Sequence, residues 1–128
     1  MNHRIDTPTA PRPKGPYSQA IVAGDTIYVA GQGPLDVATG TIVTGDIERE
    51  ARLTFANVKA ILEAAGFRIE DAVKVTVYLA DLANFEAMNA VYREAFREPY
   101  PARATVGSAL LFGTGIEVDC IAVRQPRA

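Results

Sequence analysis

Ala72-Val73-Lys74-Val75-Thr76-Val77-Tyr78-Leu79 is the run on which the architecture turns. Val73, Val75, Val77 and Leu79 alternate with Ala72, Lys74, Thr76 and Tyr78. Successive side chains of a strand point to opposite faces, so the run predicts a strand with one strongly apolar face. Such a face has to be covered, and helical patterns stand on both sides of it. Upstream, Ile47, Ala51, Phe55, Val58, Leu62 and Ala65 recur at spacings of three and four and end at Gly66, a residue suited to a helix C-terminus. Asp46 is placed to cap this helix, with Glu48 and Glu50 at the positive end of its dipole. Downstream, Asp81 opens a second helix, in which Phe85, Met88, Tyr92, Ala95 and Phe96 form an apolar stripe that stops before Pro99.

Further out, residues 18–23 and 26–30 flank Gly24-Asp25, the pattern of two strands joined by a tight turn. Gly31-Gln32-Gly33-Pro34 interrupts the second of them, and Thr39-Gly40-Thr41 marks another turn before a short strand over 41–43. Two more strand-like runs, 104–111 and 116–123, are separated by Gly113-Thr114-Gly115. The order is ββ(β)-α-β-α-β-β, which predicts an α+β domain with two helices covering one face of a sheet. Residues 1–14, bearing His3, Pro8, Pro11 and Pro13, read as an extended and mobile N-terminal arm of a single domain spanning 1–128. The second face of the sheet stays uncovered. It carries Tyr28 and Ala30 opposite Ile27 and Val29, too mixed for an ordinary solvent surface and suited to a subunit contact.

Composition removes most chemistries. The 128 residues contain one His (His3), one Cys (Cys120) and no Trp. A structural zinc needs about four His or Cys ligands and a catalytic zinc about three, so no such metal centre is expected within one chain. A His-assisted nucleophile needs a rigidly held imidazole, which His3 in the arm does not offer. Cys120 lies in an apolar run and reads as a small buried hydrophobe, and no intrachain disulfide can form, in keeping with a reducing compartment. There is no run of the roughly 18 apolar residues a membrane helix requires, and no signal-peptide order, so the cytosol is the default location and no membrane is expected. With 13 Lys and Arg against 15 Asp and Glu, no basic stripe marks a nucleic-acid partner.

Neither a GxGxxG nor a GxxxxGK loop occurs, which leaves Arg, carboxylates and hydroxyls to carry chemistry. Arg103 follows Pro101-Ala102, and Glu117 lies in Ile116-Glu117-Val118. If the two last strands pair as a hairpin, both charges fall on it together. The plain reading is a partly exposed ion pair, the fate of most such residues. The functional reading uses the guanidinium fork to grip a carboxylate and the Glu to position a water or move a proton. Tyr17 reads first as an aromatic packed on the sheet edge, and Gly31 and Gly33 as turn formers whose backbone a ligand could approach. Glu48, Arg49, Glu50 and Arg52 read as a solvated helix face, and Asn89 as a polar interruption of the second stripe.

Gly15-Pro16-Tyr17-Ser18-Gln19-Ala20, Ala30-Gly31-Gln32, Asn57-Val58-Lys59, the strand 73–79, Asn89, Pro101-Ala102-Arg103 and Ile116-Glu117-Val118 together resemble the reactive intermediate deaminase (Rid) family, over about residues 8–124. The resemblance implies a chorismate-mutase-like α+β fold with a mixed sheet and two helices on one face, assembled as a homotrimer with clefts between subunits. It implies water-assisted hydrolysis of 2-aminoacrylate, 2-iminopropanoate and 2-iminobutanoate to 2-keto acids and ammonia, with no metal or organic cofactor. Such imines arise as by-products of pyridoxal-phosphate dehydratases. Carried over by position, Arg103 would clamp the substrate carboxylate and Glu117 would activate water. Tyr17 would line the cleft, the backbone of Gly31 and Thr105 would hold polar ends of the ligand, and Asn89 would shape the cleft. Ala30, Thr105 and Leu111-Phe112 depart from the family's usual Ser, Cys and Leu-Pro. The competing expectations are a trimeric ligand-binding or chaperone-like protein without catalysis, or an endoribonuclease and translation inhibitor, which an acidic chain supports poorly.

Overall fold

The alternation over residues 72–79 does build a strand, and it lies next to the edge of a six-stranded sheet in the computed structural model, which describes residues 2–126. The strands are β1 (His3–Ile5), β2 (Ala20–Ala23), β3 (Thr26–Gln32), β4 (Leu35–Asp36), β5 (Thr41–Ile42), β6 (Ala72–Leu79), β7 (Ala102–Gly107) and β8 (Ile116–Val123). Two helices, α1 (Ile47–Ala64) and α2 (Phe85–Ala95), complete the α+β arrangement. The main sheet runs β1-β2-β3-β8-β6-β7, and β4 and β5 form a separate two-stranded hairpin. All neighbours in the main sheet are antiparallel except β6 and β7, which are parallel and joined through α2. A parallel pair needs such a crossover, and a helix is the usual one.

The core lies between the sheet and the helices. Ile27, Val29, Val75, Val77, Leu79, Val118 and Cys120 on the strands are buried together with Phe55, Val58, Ile61 and Leu62 of α1 and Met88 and Val91 of α2. Each fully buried Val, Leu, Ile or Phe contributes about 1.5–3 kcal/mol, so this layer is the main stabilising contact of the domain. Helix α1 begins where expected: the Asp46 side chain accepts from the Arg49 backbone N–H at 3.2 Å. It ends at Ala64, followed by Gly66 in the left-handed region with φ of 80°. The second helix starts later than the pattern suggested. Asp81 caps a single tight turn over Leu82–Asn84, donating nothing but accepting from the Ala83 N–H, and α2 proper opens at Phe85.

Four expectations need correction. Val73, placed on the apolar face, is 40% exposed: the register against β8 shifts between Ala72 and Lys74, so one extra residue turns Val73 outward and puts Ala72 inward. The N-terminal arm is not loose. His3–Ile5 pairs with β2 as an edge strand, with His3 exposed on it, and the segment after it is fastened by Gln19. That side chain is 1% exposed, accepts from the Thr7 N–H at 2.7 Å and donates to the carbonyls of Thr7, Ala10 and Pro11. The strand expected over 104–111 occupies Ala102–Gly107, and Leu111 belongs to a tight exposed turn. Finally, β7 and β8 are not a hairpin: β6 lies between them. The face of the sheet away from the helices carries Tyr28, Tyr78 and Asp119 and has no covering element among the described residues.

Candidate functional site

The strand order decides how the two charges stand to each other. Arg103 pairs with Val75, whose side chain faces the helices, so Arg103 faces them too. Glu117 pairs with Tyr78, three residues from Val75 and therefore on the opposite face. Within one copy of the chain, Arg103 and Glu117 point to opposite sides of the sheet and cannot hold one small molecule between them. The sequence-level idea of a shared hairpin site fails for this reason.

Each charge instead sits in its own cleft. Glu117 shares a cleft of about 120 Å³ with Tyr17 and Gly31, closed on one side by Pro11–Lys14 of the arm and on another by Leu111 and Phe112. Gly31 falls where β3 bulges between Val29 and Gln32, and its missing side chain is needed: a Cβ there would run into the Glu117 carboxylate. The Glu117 carboxyl is raised above its ordinary value, first by burial and then by the negative charge of Asp119, two residues along the same face. Asp119 in turn accepts a hydrogen bond from the Tyr78 hydroxyl at 3.0 Å. The result is a carboxylate that takes up a proton more readily than a solvated one.

Arg103 shares the other cleft with Asn89, Tyr92, Arg93, Tyr100 and Pro101. Its guanidinium lies 4.6 Å from the centre of the Tyr92 ring and 5.7 Å from that of Phe85. Among the described residues no carboxylate pairs with it. The cation is thus held on aromatic faces with its fork unoccupied, the state expected of a group that receives a carboxylate from outside. Tyr92 is anchored in turn by stacking on Phe96 at 4.4 Å and by an edge contact with Phe55 at 5.6 Å. Burial pushes its phenol up to about 12 while the Arg103 charge pulls the other way, so it stays neutral. Thr105 lies two residues beyond Arg103 on the same face of β7, at half-buried depth.

Three polar residues whose burial the sequence reading did not anticipate set the loops around the Glu117 cleft. Glu50, expected on a solvated face, is 3% exposed and accepts from the Gly115 N–H at 2.7 Å. Asn57 donates to the carbonyls of Gly33 and Leu35 at 3.0 Å each. Gln19 holds the arm. Glu50 and Asn57 carry a signal in hindsight, since each stands beside the apolar stripe of α1 and turns inward with it. Cys120 behaves as anticipated: it is buried, and burial pushes its thiol up to about 12, too high for thiolate chemistry near neutrality. No three His, Cys, Asp or Glu side chains converge among the described residues, and no helix there is long and apolar enough to cross a membrane.

Comparison with known proteins identifies the lineage of this geometry. The family described as Endoribonuclease L-PSP matches residues 7–124. A 2-iminobutanoate/2-iminopropanoate deaminase of Dermatophagoides farinae is 45% identical over 120 residues, 93% of this chain and 94% of that one. The chain belongs to the Rid family. This Rid protein is also 50% identical to a RutC family protein of Pyrococcus horikoshii over 126 residues, covering 98% of this chain and all of the relative. A solved structure of E. coli TdcF with bound serine superposes with a TM-score of 0.90 at 39% identity, covering 96% of the Rid chain and 99% of its own.

Proposed function

We propose that this Rid protein is a homotrimeric cytosolic hydrolase of 2-imino acids, with its site completed where the Arg103 cleft of one copy meets the Glu117 cleft of the next. The observation that carries the proposal is the unpaired Arg103 fork, facing away from the one half-buried carboxylate with a raised proton affinity. Head-to-tail contacts between identical chains close into rings, which is the way two different clefts of one chain come together in a small assembly. The bare outer sheet face supports the same arrangement, as does the serine bound by TdcF, itself a small amino acid.

The chemistry then follows from the substrate. The carbon of a protonated 2-imine is already electrophilic, so the protein has to orient it, supply a water and manage one proton. Arg103 fixes the carboxylate at two points. Glu117 takes a proton from water as the water oxygen bonds to C2, giving a carbinolamine. Returning that proton to nitrogen lets the C–N bond break as the hydroxyl oxygen forms the carbonyl, and Glu117 takes the hydroxyl proton and passes it to the departing ammonia, so one water and one iminium yield one 2-keto acid and one ammonium. The direct test generates 2-aminoacrylate with a serine dehydratase and times keto-acid release. Acceleration by the protein is expected, and unchanged timing overturns the reading.

Two variants probe the Glu117 half. Gly31→Ala should lower kcat/KM about 100-fold, because the new Cβ displaces the carboxylate by about an ångström and such misplacements are worth that much. Gly33→Ala is the control, since a Cβ there comes no nearer than 3.9 Å to another atom and should leave the rate within about twofold. Asp119→Asn addresses the proton. Glu117 acts as the carboxylate, so activity falls as pH drops through its raised value. Removing the neighbouring negative charge lets Glu117 ionise more easily and moves the acid limb of the kcat/KM profile to lower pH. A limb that stays in place, or moves up, refutes the role given to Glu117.

A further inference from the structure

We infer that Phe112 makes the Glu117 cleft selective for 2-imino acids with a larger apolar side chain, of about the size of an isobutyl group, over those with a methyl; the inference rests on reading that cleft as a site of imine hydrolysis. Phe112 has φ of 61°, in the left-handed region, where a bulky side chain is strained by about 1–2 kcal/mol. Packing does not repay that strain, because Phe112 is 60% exposed and its neighbour Leu111 is 72% exposed. An aromatic residue held in an unfavourable backbone state on the surface points to a use beyond folding.

Its position supplies the use. Phe112 and Leu111 line the cleft that contains Glu117, and Leu35 and Ile42 add further apolar surface to its lining. Lys14 of the arm places its ammonium 4.8 Å from the centre of the Phe112 ring, which ties the loop to the arm that forms another side of the cleft. A substrate whose C2 is within reach of Glu117 therefore extends its side chain between apolar surfaces. The cleft of about 120 Å³ leaves room beside Glu117 for apolar carbons beyond a methyl group. Each additional buried methylene is worth about fourfold, so partial burial of three carbons gives about a tenfold preference.

The test measures kcat/KM for imines formed in situ by an amino-acid oxidase from alanine, leucine and aspartate, with catalase present. The leucine-derived imine should be hydrolysed about tenfold more efficiently than the alanine-derived one, and the aspartate-derived imine least well. Phe112→Gly keeps a backbone that tolerates the positive φ, and should bring the leucine-to-alanine ratio of kcat/KM to about one. Phe112→Tyr should retain the ratio. Equal wild-type rates, a ratio unchanged in Phe112→Gly, or a preference for the aspartate-derived imine through Lys14 each overturn the inference while leaving imine hydrolysis in place. A change of molecular mass by light scattering in Phe112→Gly also overturns it, since the ring would then serve as a subunit contact. Failure with all three imines removes the hydrolytic reading itself.

Discussion

Arg103→Ala should lower kcat/KM for the proposed 2-imino acid substrates by about 30- to 3,000-fold while the chain stays folded. On the proposed reading the Arg103 guanidinium, lying over the Tyr92 and Phe85 rings, is the group that receives the substrate carboxylate. Truncating one partner of such a charge pair costs about 2–5 kcal/mol, at tenfold per 1.4 kcal/mol. Arg103→Lys keeps the charge but loses the fork and the flat face that lies on the rings, so it should recover only a small part of the rate. A mixing experiment then tests where the site is. Arg103→Ala and Glu117→Gln chains alone should each retain only a small residue of activity. Co-refolded in equal amounts, they should regain about a quarter of wild-type activity, because a cleft built from two neighbours draws an intact Arg103 and an intact Glu117 at random half the time each. Mixtures as inactive as their components would rule out a shared site.

Phe55→Ala should remove about 3–5 kcal/mol of stability, read as a lower denaturant midpoint at fixed protein concentration with an unchanged slope. Phe55 is fully enclosed and meets both Tyr92 and Phe96 edge-on at 5.6 Å, so the substitution deletes one large side chain and two aromatic contacts of about 0.5–1.5 kcal/mol each. It also loosens Tyr92 beneath Arg103. A loss below about 1 kcal/mol would mean that the space is refilled and that this aromatic cluster is not the joint between α1 and α2.

Local pattern carried the elements further than it carried their partners. The stripe from Ile47 to Leu62 gave α1 its register, and the alternation over 116–123 gave β8 its bounds, because side-chain period is a property of each segment. Val73 escaped that logic through a bulge that exists only because β8 runs beside it. Pairing is a property of the whole chain. Gly113-Thr114-Gly115 has the composition of a hairpin turn, yet β8 inserts between β3 and β6, and the strand-helix-strand order of β6, α2 and β7 was the better guide to which strands adjoin. The site shows the same division. Arg103, Glu117, Tyr17, Gly31 and Asn89 could each be singled out as residues, but which face each one occupies depends on its neighbours in the sheet. Gln19, Glu50 and Asn57 were not legible as buried because a polar residue in an amphipathic stretch looks solvated until its burial is seen.

The fastening of residues 7–11 by one glutamine side chain has a bearing on how this chain can vary. Between β1 and Gln19 the backbone forms a closed circuit, held at one end by strand pairing and at the other by four hydrogen bonds. Its length is therefore constrained as that of a free tail is not. An insertion can bow outward, but a deletion has to unfasten one end, and the same circuit supplies Pro11 to Lys14 as a wall of the Glu117 cleft. What reads in the sequence as a mobile arm is a structural strut, and shortening it would remodel the wall that it gives the Glu117 cleft.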